Sequence, residues 1–118
     1  AEESGASLFV GIHMNKFPEP QYKGLQVYYS PNHNDSQKIA AFIQSYARTY
    51  LQPENTREIK KANSSIYLLH RMKSPAVLVE CGFLSNEYEA DLLKNSDYKV
   101  ALAMSIYCGI VDYLENKK

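Results

Sequence analysis

Apolar and polar positions change their spacing several times along the chain, and each change marks an element. Residues 8–13 (LFVGIH) are nearly all apolar until they end on His13, the pattern of a strand covered on both faces. A loop follows at once, from Lys16 to Gly24 with Pro18 and Pro20 inside it. Leu25 to Ser30 mixes aromatic and β-branched residues and predicts a second strand. The polar run Pro31-Asn-His-Asn-Asp-Ser36 ends in good N-cap residues. Ile39, Phe42, Ile43, Tyr46, Ala47 and Tyr50 then recur at helical spacing, which predicts an amphipathic helix over about 35–51, stopped by Pro53.

Residues 54–63 are polar and charged, with too few apolar side chains to anchor a firm element. Ile66 to His70 predicts a third strand, and Pro75 leads into a fourth, Ala76-Val-Leu-Val-Glu80. The connection over 71–75 is too short for a parallel crossover, so these two strands are predicted to be antiparallel neighbours. Asn86 with Glu89 three residues on forms a capping-box pattern ahead of Ala90, Leu92 and Leu93. A last helix opens at Ser96, with Val100, Ala103, Met104, Tyr107, Cys108, Val111 and Leu114 as its apolar face. The order β, β, α, β, β, α, α predicts the α/β class, a mixed sheet flanked by helices. No internal repeat, low-complexity tract or dividing linker interrupts it.

A chain of 118 residues is one domain with enough surface to bury a core. Its 13 basic and 13 acidic residues cancel, so there is no electrostatic footprint for nucleic acid or for an anionic membrane. No apolar run approaches the roughly 20 residues of a membrane span. The opening AEESGA is neither basic nor apolar and has no secretory-signal pattern. Cys81 and Cys108 do not make a disulfide framework and read as two buried thiols, compatible with a cytoplasmic or an exported protein.

The candidate chemistry lies at two strand ends. Open α/β sheets place their reactive groups at the carboxyl ends of strands. Here two apolar runs deliver His13 and Glu80 there, a proton-transferring or metal-capable pair. A histidine in that place is otherwise a hydrogen-bonded structural residue, and a glutamate half of an ion pair or a helix cap. Charged residues are seldom set in such runs unless paired or functional. Asn15, two residues after His13, is placed to touch substrate or orient the imidazole. Gly82 and Phe83 shape the turn after Glu80, with Gly82 letting the backbone approach a ligand, and Tyr22 in the proline-rich loop is placed to flank a cleft. His33 reads as a solvated loop residue, and His70 sits in a basic neighbourhood that discourages a cation. Most of the ten tyrosines have plainer roles: Tyr46, Tyr50 and Tyr107 on helix apolar faces, and Tyr28, Tyr29 and Tyr67 in strands.

Read together, LFVGIHMNKF and PAVLVECGFLSNEYEADLL resemble the zinc-dependent N-acetylmuramoyl-L-alanine amidases of bacterial cell-wall turnover. The wording HMNKFPEPQYKGLQVYYS is most similar to the spore-cortex, germination-specific branch. The resemblance spans essentially the whole chain but only the later part of the family domain, so it implies that residues 1–118 are the C-terminal part of one catalytic domain with N-terminal strands missing. It implies Zn2+ as cofactor, His13 as a ligand, Glu80 as acid/base, and peptidoglycan as the extracytoplasmic partner. The bond cut is then the amide between the lactyl group of muramic acid and L-alanine. The family's upstream histidine and glutamate ligands have no match, which implies that the isolated chain is incomplete and inactive. Three other readings stand beside this one: a non-catalytic muropeptide-binding module, an interaction domain that forms a homodimer through an exposed sheet edge, and a zinc exopeptidase of related fold.

Overall fold

The computed structural model describes residues 8–15, 24–63, 66–83 and 86–117. Among them the elements in chain order are β1 (Phe9–Asn15), β2 (Gln26–Tyr29), α1 (Asn34–Tyr50), β3 (Lys60–Lys61), α2 (Tyr67–Arg71), β4 (Ala76–Phe83), α3 (Glu87–Lys94) and α4 (Ser96–Lys117). The four strands form one sheet in the order β1-β4-β2-β3. β4 runs parallel to β1 and antiparallel to β2, and β3 runs parallel to β2, so the sheet is mixed.

Side chains alternate across a strand, and β4 uses both directions. Val77, Val79 and Cys81 enter the larger core with Leu25 and Val27, covered by Ile39, Ile43 and Ala47 of α1, Leu93 of α3, and Leu102 and Ile106 of α4. Ala76 and Leu78 point to a smaller cluster with Ala62, Leu69 and Met72. Glu80 continues this second series beyond the apolar part of the strand. The amino end of β4 is fastened to α1, because Ser36 Oγ accepts the Ala76 N–H at 3.0 Å.

The helix over Asn34–Tyr50 begins on His33, whose Nδ1 accepts the Asp35 N–H at 3.1 Å. His33 is therefore a capping residue rather than a solvated one. Its helix packs against α4 at Gly109, where a Cβ would stand 2.7 Å from Ile43 Cγ1 and 2.9 Å from Ile43 Cα and N. Asn86 caps α3 as its sequence predicts, accepting the Glu89 N–H at 3.1 Å.

Several expectations change. Residues 67–71 form a helical turn, not a strand, and no antiparallel pair joins them to β4. Both edges of β4 are already occupied by β1 and β2, so nothing is left for a local hairpin partner. Leu69 is buried by the turn, and the Asn32 amide donates to the carbonyls of His70 and Met72 where it ends. The remaining strand is β3, inside the polar stretch that showed no firm element. Its two exposed lysines suit an edge strand, where charge discourages further pairing.

The buried face of α4 is also not the predicted one. Leu102, Ser105, Ile106 and Tyr113 are buried, whereas Val100, Met104, Tyr107 and Leu114 are exposed. Tyr50 likewise faces outward, and Tyr67 belongs to α2. Cys108 is only half-buried, unlike Cys81. β1 is outermost among the described strands, and Ile12 and Met14 are exposed rather than covered.

Candidate active site

The parallel pairing of β1 with β4 sets His13 directly opposite Glu80. On the other side of β4, the antiparallel pairing sets Gln26 opposite Glu80. Three polar side chains thus form one row across three strands: His13, Glu80, Gln26. Their neighbours in the previous row, Gly11, Leu78 and Tyr28, are apolar or aromatic. The row therefore marks where the sheet changes from apolar and aromatic to polar side chains.

His13 Nδ1 lies 3.7 Å from Glu80 Oε1, beyond direct hydrogen-bond range but close enough for both to serve one centre. Exposure differs sharply: the imidazole is 58% exposed and the carboxylate side chain 12%. An accessible nitrogen thus stands beside a sheltered carboxylate. Burial pushes the Cys81 thiol up to about 11, a hydrogen bond with the His13 backbone opposes this, and the Glu80 charge adds to the rise. Cys81 is accordingly a packing residue and not a nucleophile.

The strand changes course immediately after Glu80. His13 pairs with Glu80 and Asn15 with Phe83, so two steps along β1 match three along β4. That extra residue is a bulge, a device that bends a strand and re-aims its side chains. A Cβ on Gly82 would meet Glu89 Oε1 at 3.2 Å and Leu93 Cδ1 at 3.4 Å, so Gly82 lies against α3. Gly82 therefore belongs to a strand irregularity rather than to a turn, and its lack of a side chain serves the packing of α3. Asn15 and Phe83 sit at the bulge by register, while Tyr22 lies outside the described residues. His70 is exposed at the end of α2 and plays no part in the row.

Sequence reasoning missed Gln26 and Arg57. Gln26 is buried, its amide nitrogen donates to the Glu58 carbonyl at 2.5 Å, and its amide oxygen accepts from Arg57 Nη1 at 3.3 Å. A lone amide second in an aromatic, β-branched strand was the available signal. Burial raises the Tyr28 pKa, the Glu80 charge raises it further, and Arg57 lowers it, so both charges act on this phenol. Among the described residues no three His, Cys, Asp or Glu side chains are grouped as a metal site requires.

Residues 1–112 match the profile of the N-acetylmuramoyl-L-alanine amidase family. The chain belongs to that family. It is 39% identical over 114 residues to the germination-specific N-acetylmuramoyl-L-alanine amidase of Bacillus subtilis, covering 97% of this chain and 47% of the relative. It is similar in structure to the CwlD amidase of Clostridioides difficile, solved in complex with the GerS lipoprotein, with a TM-score of 0.88 and 41% identity. That match covers 95% of this chain and 56% of the other. The N-acetylmuramoyl-L-alanine amidase of Clostridium difficile 630 gives a TM-score of 0.89 at 30% identity, covering 98% of this chain and 62% of that one. The chain thus spans about half of its germination-specific relative and somewhat more of these solved amidases. The α/β mixed sheet with flanking helices is the family's fold.

Proposed function

We propose that this chain is the C-terminal part of the catalytic domain of a peptidoglycan amidase, and that the row of His13 and Glu80 carries the reaction. The supporting observation is their opposition across parallel strands at 3.7 Å, with the histidine exposed and the glutamate sheltered. The bond cut is the amide between the muramic acid lactyl group and L-alanine. Glu80 removes a proton from the attacking water and returns it to the departing L-alanine nitrogen. Its sheltered position holds the carboxylate against the reacting atoms.

His13 fits one place in a zinc site, an accessible imidazole at a strand end. Hydrolytic zinc sites commonly use three protein ligands, and the described residues group no such set; with the other donors supplied by the part of the family domain that lies outside this chain, the 118 residues alone would be inactive. When bound, zinc lowers the pKa of water to about 7 and polarises the carbonyl. The place of action is extracytoplasmic, in the cell wall or spore cortex. Among the described residues, no helix is long and apolar enough to cross a membrane. The exposed outer strand β1 is where strand pairing with a second copy would occur, as a concentration-dependent dimer in light scattering.

The test is zinc content and muropeptide hydrolysis by the full-length product, beside His13→Ala and Glu80→Gln. The reading expects His13→Ala to lose metal and activity, and Glu80→Gln to keep metal and lose activity. Muropeptide binding that survives both changes, with no hydrolysis by the unaltered protein, would instead establish a non-catalytic binding module.

A further inference from the structure

Gln26 is an amide in an otherwise apolar and aromatic strand, and it is only 1% exposed, flanked by the fully buried Leu25 and Val27. Burying an amide is costly unless its polar atoms are bonded. A single loop bonds both ends of this one. Gln26 Nε2 donates to the Glu58 carbonyl at 2.5 Å, and Gln26 Oε1 accepts from Arg57 Nη1 at 3.3 Å. A side chain tied at both amide atoms is held in one rotamer.

The loop itself is fastened to two elements. Arg57 donates its backbone N–H to Asn55 Oδ1 at 2.7 Å, and its carbonyl accepts from Arg48 Nη2 of α1 at 2.7 Å. Arg48 Nε also donates to the Asn55 carbonyl at 2.9 Å, and Asn55 Nδ2 donates to the Leu25 carbonyl at 3.0 Å. A Cβ on Gly24 would stand 3.3 Å from Arg57 Nε and 3.4 Å from Asn55 Nδ2, so glycine there leaves the arm its room. An apolar residue at position 26 would fill the strand with none of this support. All of it converges on one amide.

That amide stands opposite Glu80 in the β2–β4 register, as His13 does in the β1–β4 register. Neighbouring strands are about 4.8 Å apart, so the carboxylate has a side chain close on either hand. The two neighbours are held differently: the imidazole is 58% exposed, whereas Gln26 is buried and tied. The β2 side is thus a fixed wall, and the carboxylate lies 3.7 Å from the His13 imidazole on the other. Tyr28 follows Gln26 by two residues, so it shares that face one row behind. Its phenol feels the charges of both Glu80 and Arg57, which sets the carboxylate and the cation around one ring.

We propose that Gln26 is a positioning residue for Glu80: tied by Arg57 and the Glu58 carbonyl, it keeps the carboxylate turned toward His13 and the attacking water. It touches neither substrate nor metal. This rests on the amidase reading above. A loop with no reactive group of its own thereby contributes to turnover.

The experiment uses the full-length product and follows muropeptide hydrolysis together with zinc content. Displacing a reacting group by about 1 Å costs on the order of 100-fold in rate. Gln26→Ala should therefore lower kcat by about 10- to 100-fold, with KM within about twofold and zinc retained. Arg57→Met leaves the amide in place and removes its donor; it should lower kcat about fivefold, and Arg57→Lys should restore part of this. Arg57 is half-buried, so these two changes carry the test even if Gln26→Ala fails to fold. The deciding step repeats each change in the Glu80→Gln background. A residue that acts through Glu80 has nothing left to position there, so the residual rate should shift by less than about twofold. An equal fold-loss in both backgrounds, a loss confined to KM, or an unchanged kcat in Gln26→Ala and Arg57→Met overturns the proposal. The amidase reading fails separately, if the unaltered full-length protein hydrolyses no muropeptide.

Discussion

Replacing Gly109 by alanine tests the close packing of α4 on α1. In an isolated helix the change is favourable, since alanine is better than glycine by about 1 kcal/mol. Here the new methyl would sit 2.9 Å from the Ile43 backbone, at least 0.5 Å inside the 3.4 Å where ordinary contact begins. Backbone has no rotamer to swing aside, so α1 and α4 must separate. Overpacking of this kind costs about 1–3 kcal/mol. Separation also thins the shared core of α1 and α4, because a gap of about 0.5–1 Å forfeits a quarter to a half of each dispersion well. The clash outweighs the propensity gain, and a net loss of about 2 kcal/mol is expected. In thermal unfolding followed by circular dichroism, that is a fall of about 6–10 °C for a chain of this size. Urea unfolding should show a lower midpoint with unchanged slope. The exposed change Ala103→Gly supplies the propensity term alone, with a loss of about 1 kcal/mol. A Gly109→Ala protein as stable as the parent, or more so, would refute the close approach of these helices.

Further outcomes follow from other positions. Glu80→Gln in the full-length product should lower amide hydrolysis at least ~100-fold, measured by release of free L-alanine amine, with little change in melting temperature. Gly24→Ala should cost about 1–2 kcal/mol, because φ +99° strains any side-chain-bearing residue; equal unfolding midpoints would contradict it. Cys81 should resist alkylation in the folded chain and react on unfolding, as mass spectrometry of the modified peptide will show. Its pKa rises on folding from 9.0 to about 11, so the folded state keeps a proton the unfolded state loses. Its contribution to stability is therefore full below about pH 9 and declines as pH rises toward 11.

His13 and Glu80 were legible as candidates because each ends an apolar run, the place where open α/β sheets put reactive groups. The parallel register that sets them opposite each other is a long-range pairing that no local pattern encodes. Ile66–His70 misled for the same reason: its residues favour a strand, but the neighbouring strand has no free edge. The periodicity of α4 supports two apolar stripes, and only the position of α1 selects the one through Leu102, Ile106 and Tyr113. Gln26 left one local signal, its lone amide in an apolar strand, whereas Arg57 left none, because its bond to Gln26 joins residues 31 apart in the chain. Glu89 read as a capping residue, and its carboxylate turned out to hold Gly24, 65 residues away.

β1 and β2 are near neighbours in the chain, yet β4 lies between them in the sheet. Closing the pairs His13–Glu80 and Gln26–Glu80 spans 67 and 54 residues, from 80 − 13 and 80 − 26. Contacts of that separation form late, after local helices and turns have appeared. A chain still being synthesised therefore has no His13–Glu80–Gln26 row at all, whatever helices it has already formed. The order of folding itself thus delays the meeting of His13 and Glu80, and with it any chemistry of the proposed site, until β4 takes its place between β1 and β2.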